Sequence, residues 1–220
     1  MSNSEESGTP VSREQALAKL KENLGDELDR LFDEAIIGAP KAAKSKVPKN
    51  KPAIEIKNYG KLALIVMPAG LVEGTPQSGE TDSRRCREFH PADESTVRLV
   101  FFFRGERTSP EAAERFQSIL LKGTHVLSLS ELKSLKEIMR DKGEAQKFKI
   151  FVGATRELNG TKVLVVEGRY LDSQSEVHAI FIDGDGTGLI VQEIYFVAPK
   201  GKYPRYFAEA TATFKSIQWK

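Results

Sequence analysis

Asn159-Gly160 is the feature that most constrains this chain. The pair accepts positive φ at both central positions of a two-residue turn, which makes it a strong hairpin signal. On its N-terminal side, Phe148, Ile150 and Val152 recur at period two, the mark of a half-buried strand over 146–158. On its C-terminal side, residues 162–170 are rich in β-branched side chains. Leu171-Asp172-Ser173-Gln174 then reads as a turn. Residues 176–182 alternate again, with Val177, Ala179 and Phe181 on one face. The glycine-rich run Asp183–Gly188 turns the chain once more, and 189–197 returns as an apolar strand. Four consecutive strands with short connections predict an antiparallel meander. Pro199 and Pro204 bracket its end. A helix over 204–216 follows, carrying Tyr206, Phe207, Ala210 and Phe214 toward the sheet, with Ile217 and Trp219 completing the stripe.

Upstream, 53–57 and 61–67 read as strands around Asn58-Tyr59-Gly60. Residues 68–94 are polar and rich in glycine and proline, and read as a long loop. Residues 95–104 include Phe101, Phe102 and Phe103, and being apolar on both faces predict a central strand. Ser109-Pro110-Glu111 opens a helix that ends at Gly123. Ser128-x-x-Glu131 is a capping box that opens another, ending before Gly143. The fold class is therefore α+β: an antiparallel sheet of about six or seven strands flanked by helices.

The N-terminal quarter differs in character. Residues 1–11 read as a disordered tail. Residues 12–38 predict an amphipathic helix with Leu17, Leu20, Leu24, Leu28 and Leu31 along one face. That stripe fits either packing on the chain's own domain or a docking arm, including a homodimer contact. Residues 39–52 hold five lysines and three prolines and read as a solvated linker. The folded domain is then 53–220. A net charge of +2 gives no argument for nucleic acid. No apolar run reaches the roughly 20 residues that span a bilayer. The single cysteine, Cys86, rules out an intrachain disulfide, and a cytoplasmic protein is the expectation.

Assembled chemistry is hard to find. Asp183-Gly-Asp-Gly-Thr-Gly188 resembles a calcium loop, but Ile194 stands where an EF-hand needs its twelfth-position acid. Cys86 and His90 could supply two metal ligands, with His125 or His178 a third, but no second Cys/His pair stands at finger spacing. Cys86 as a nucleophile has no motif for an oxyanion hole. The reading assigns no catalytic, metal or cofactor-binding residue. Glu167 reads as half of a structural ion pair, with Arg169 on the same face. The candidate partner-binding residues are Arg84, Arg85, Arg87 and Phe89 in the long loop, with Leu17, Leu24, Leu28 and Leu31 in the arm.

The strand leading into Phe196-x-Ala198-Pro199, a following tyrosine, and a helix that ends in Phe214-Lys215-Ser216-Ile217 resemble the C-terminal half of PsbP-type proteins. These comprise the extrinsic photosystem II subunit and its bacterial relatives. Mog-type Ran-binding proteins and bacterial chaperones for type VI secretion effectors share that fold. The likeness runs from Ala53 to Trp219 and is carried by the residues from Phe148 on. It implies an α/β/α sandwich around an antiparallel sheet, with no enzymatic activity and a role in protein binding. A non-enzymatic adaptor or chaperone-like module is the leading expectation. A small-molecule or lipid-binding domain, using a cavity between sheet and helices, is the alternative.

Overall fold

The computed structural model describes residues 53–78, 80–103, 108–139 and 148–220. The predicted tail, amphipathic helix and lysine-rich linker lie outside these residues, and so do Leu17, Leu24, Leu28 and Leu31. Eleven strands and three helices make up the described part: β1 Ile54–Tyr59, β2 Leu62–Met67, β3 Leu71–Gly74, β4 Cys86–Pro91, β5 Arg98–Phe102, α1 Pro110–Leu121, β6 His125–Val126, α2 Leu129–Ile138, β7 Phe148–Leu158, β8 Thr161–Tyr170, β9 Ser175–Asp183, β10 Val191–Pro199, α3 Tyr203–Lys215 and β11 Gln218–Trp219. No helix among them is long and apolar enough to cross a membrane.

The predicted meander is present. β7, β8, β9 and β10 pair in sequence, and every pairing is antiparallel. Asn159 and Gly160 take φ of 50° and 82°, as the turn between β7 and β8 demands. The expected six or seven strands in one sheet need correction. An eight-stranded sheet runs β3-β4-β5-β10-β9-β8-β7-β6, and a separate three-stranded sheet runs β1-β2-β11. The first hairpin also turns one step later than expected. Tyr59 pairs with Leu62, leaving Gly60-Lys61 as the loop. Tyr59 is buried and its hydroxyl donates to the Phe101 carbonyl (3.0 Å), so it belongs to the strand.

Period-two alternation gives the large sheet two apolar faces. On one, Leu164, Val166, Val177, Ala179, Phe181 and Val191 meet Phe116, Ile119 and Leu120 of α1 and Leu135 and Ile138 of α2. On the other, Val165, Ile180, Ile194 and Phe196 meet Ala210 and Phe214 of α3 and Ile56, Leu62 and Ile65 of the small sheet. Ser109 caps α1 by accepting from the Ala112 amide (3.2 Å), and the Ser128/Glu131 capping box of α2 is complete. Glycine is required at one close approach. A Cβ on Gly168 would stand 2.4 Å from the Lys149 carbonyl, where β7 is irregular between Ile150 and Val152.

The aromatic helix lies on the sheet as its spacing predicts. Tyr203 and Phe207 stack at 5.0 Å, and Phe207 and Phe214 enclose the buried His178 ring at 5.2 and 5.5 Å. Trp219 leaves the helix for β11, where its indole N–H donates to the Leu158 carbonyl (2.8 Å). Glu167 meets His178 across the β8–β9 ladder (3.1 Å), and Arg169 meets Glu176 (2.8 Å). Cross-strand neighbours thus displace the expected Glu167–Arg169 pair, because directly opposed side chains lie closer than residues two apart on one strand.

Candidate functional site

The long loop of the sequence reading contains two strands, β3 and β4, and this scatters the residues chosen from it. Phe89 is fully buried in the core against Phe101, with ring centres 5.9 Å apart. It is a core residue, not a surface anchor. Arg84 points into solvent and grips Asp82 through two nitrogens (3.0 and 2.9 Å), holding the Asp82 carboxyl down at about 2. Arg85 pairs with Glu80 (3.5 Å). Arg87 makes a bidentate pair with Glu73 (2.7 and 2.8 Å) and lies over the Phe89 ring at 5.0 Å. Each guanidinium already has a carboxylate, so the three do not converge on one anion site. Cys86 is buried at 2% exposure, with the Ser78 hydroxyl 3.9 Å from its sulfur.

Other polar clusters prove to be structural on their geometry. Thr155 Oγ1 lies 2.9 Å from His125 Nδ1, and His125 Nε2 lies 3.3 Å from Glu131. That order of groups is the nucleophile–base–acid arrangement. Thr155 is 1% exposed, however, and its hydroxyl donates to the Gly123 carbonyl, so no substrate reaches it. The trio instead ties the α2 cap to β7. Asp183 Oδ1 accepts from the amides of Asp185, Gly186 and Gly188 (3.3, 2.9 and 3.1 Å). Its lone pairs hold the turn rather than a cation. No group of three His, Cys, Asp or Glu side chains able to hold a metal occurs among the described residues.

A concave feature lies along the flank of α3. Tyr206, Glu209 and Ala210 form one wall. Pro68, Leu71, Phe89 and Pro91 line the cleft too, with Val97, Arg98, Leu99 and Phe196 completing the lining. The helix is held in place at its start. Lys202 bonds Glu94 and reaches the Thr96 hydroxyl (3.5 Å), joining the head of α3 to the β4–β5 connection. The hydrogen bond from Lys202 brings the Glu94 carboxyl down to about 2. The cleft encloses about 270 Å³ of empty space including its open mouth, of which about 20 Å³ is open to the centre of a water molecule. It is a narrow slot.

Two charged side chains line it, Arg98, which pairs with Glu88 (3.6 Å), and Glu209. Burial raises its pKa, opposed by the charge of Arg205 one turn earlier. Among the described residues its carboxylate has no hydrogen bond or ion pair. Arg205 spends its own charge over the Tyr206 ring, 4.9 Å from its centre. An ionisable group shifted by burial on the wall of a cleft is a recognised mark of a functional position. Sequence reasoning missed it. The signal was there: a lone acid within the run Tyr206-Phe207-Ala208-Glu209-Ala210.

The comparisons with known proteins bear on the scaffold alone. No protein-family model matches the sequence, and no curated protein does. A solved structure does: the solution structure of cyanobacterial PsbP (CyanoP) from Synechocystis sp. PCC 6803, with a TM-score of 0.51 and 10% identity, covering 82% of this chain and 99% of that one. The fold is PsbP-like. At that identity the likeness extends to the path of the chain and not to the side chains of the α3 cleft. The PsbP-like scaffold therefore supplies the α+β frame, and the site must be argued from its own residues.

Proposed function

We propose that this chain is a non-enzymatic, protein-binding module, an adaptor or chaperone-like domain on a PsbP-like scaffold, and that its partner seats on the α3 cleft. The observation that carries the reading is the half-buried Glu209 carboxylate, without a hydrogen bond or ion pair among the described residues, on a largely apolar slot that Arg98 also lines. The slot's size weighs against the small-molecule or lipid alternative, because cavities for such ligands run to roughly 300–1,000 Å³ and enclose the ligand. The same proposal includes no catalytic step, no cofactor and no nucleic-acid contact, and sets the protein in the cytoplasm.

Site-specific photo-crosslinking tests it. Tyr206→p-benzoylphenylalanine in the full chain is expected to yield one discrete protein adduct in cells. The same replacement at the exposed Lys162 is the control. Equal adduct patterns at both positions, or none at Tyr206, would sink the proposal. A homodimer through Leu17, Leu24, Leu28 and Leu31 belongs to the same reading. Deleting residues 1–40 should then halve the mass seen by light scattering, and an unchanged oligomeric state rejects that contact.

A further inference from the structure

The turn at the tip of the central hairpin also holds the C-terminal segment. Asn159 and Gly160 occupy its central positions with φ of 50° and 82°. Asn159 is exposed, yet its side-chain amide is engaged. Nδ2 donates to the Lys215 carbonyl (3.2 Å) and to the Ile217 carbonyl (2.7 Å). Lys215 is the last residue of α3, so its carbonyl has no partner within the helix. Ile217 leads into β11. One amide group thus fastens the passage from α3 to β11 onto the β7–β8 turn. Beside it, the Trp219 indole fastens the strand to the Leu158 carbonyl (2.8 Å).

The dipeptide that makes this clamp is chemically labile. Asparagine is a thermolabile residue, and a following glycine has no Cβ to keep its amide nitrogen off the neighbouring side chain. Asn159 is followed by glycine, whereas Asn3, Asn23, Asn50 and Asn58 precede Ser4, Leu24, Lys51 and Tyr59. In the reaction the Gly160 nitrogen attacks Asn159 Cγ. The N–Cγ bond forms, the Cγ–Nδ2 bond breaks, and ammonia leaves with the proton that Gly160 loses. Water then opens the cyclic imide to aspartate or isoaspartate. The leaving nitrogen is the atom that both carbonyls hold, so the reaction has to break the clamp.

We propose that Asn159 is a deamidation site gated by the C-terminal segment: docked, α3 and β11 withhold it, and once they lift it converts irreversibly and the segment no longer closes. The product places an acceptor where a donor stood. Its carboxylate faces the Lys215 and Ile217 carbonyls and brings negative charge to the end of α3 where the helix dipole is already negative. Aspartate accepts the left-handed backbone of the turn as asparagine does, so the clamp is lost and the hairpin is kept. The inference is independent of the α3 cleft and of what binds there.

The test follows the tryptic peptide 157–162 of the full chain, held at mildly alkaline pH, for its amide-to-acid mass change. The folded chain is expected to convert at least about tenfold more slowly than the same chain unfolded in urea, the scale of two ordinary hydrogen bonds. Trp219→Ala loosens β11 without touching Asn159, and should convert faster than the unaltered chain. Asn159→Asp should speed hydrogen–deuterium exchange over 216–220 and leave 161–170 protected. Equal rates in the folded and unfolded chain overturn the inference, as does a peptide that stays unconverted in urea. So does unchanged exchange over 216–220 in Asn159→Asp, or a folded Trp219→Ala chain that converts no faster. If circular dichroism shows Trp219→Ala unfolded, the comparison within the unaltered chain and the Asn159→Asp exchange decide the matter.

Discussion

Gln192 is fully buried where the two sheets meet. Its side-chain carbonyl accepts from the Lys61 amide (2.7 Å) and its amide donates to the Tyr59 carbonyl (3.1 Å). One side chain therefore satisfies the Tyr59 carbonyl and the Lys61 amide at the β1–β2 turn from the start of β10. Gln192→Leu keeps the volume and strands both, and should cost about 2–4 kcal/mol in urea denaturation, since each buried unsatisfied group costs roughly 1–3 kcal/mol. A loss under about 0.5 kcal/mol would mean that water replaces the glutamine. Phe89 and Arg84 give a paired test of the corrected loop. Phe89→Ala should lose about 3–5 kcal/mol, the range for emptying a packed aromatic site. Arg84→Ala, at the surface, should stay within about 0.5 kcal/mol. The sequence could not separate these two. Both stand in one polar cluster, and only the pairing of β4 with β5 decides which side chain turns inward.

At the scale of elements, the legible parts were those whose signal is local. Ser109, Ser128 and Glu131 announced two helix starts, and Asn159-Gly160 set the register of the central hairpin. β3 and β4 were not legible, because β3 is only four residues long and β4 carries Arg87 and Glu88 among its apolar residues. Glu88 is 4% exposed and buries its charge against Arg98 and the Gln77 amide, so a buried face looked like a solvated one. β6 and β11 are two residues each and exist only as additions to a neighbouring edge. The α2 cap yields a pH prediction. Burial disfavours the Glu131 anion, but hydrogen bonds from Lys122, the Ser128 amide and hydroxyl, and His125 outweigh it and bring the pKa from 4.5 to about 2. A carboxyl with a depressed folded pKa contributes stability above its unfolded value and loses it as pH falls through the folded one. Glu131→Gln should therefore melt lower at pH 7, by about 1 kcal/mol for a charge in partial contact with solvent. The gap should close as pH falls from 4.5 toward 2. A gap independent of pH would assign the stability to the neutral cap alone.

Across the whole molecule, two apolar faces of one sheet are closed by different means. α1 and α2 cover one, and α3 shares the other with the small sheet. The cleft lies on that shared side, lined by Tyr206, Glu209 and Ala210 of α3 and by Leu71 of β3 and Phe89 and Pro91 of β4. The site was therefore the least legible part of the sequence. Its walls come from residues as far apart as Pro68 and Ala210, and no local spacing links them. The measurement that bears most directly on this account is hydrogen–deuterium exchange of the full chain, with and without the partner captured at Tyr206. Slowed exchange over residues 71–74 and 206–210 is the predicted result. Protection confined to the arginine turn at 82–87, or to the corner between α1 and α2, would contradict it.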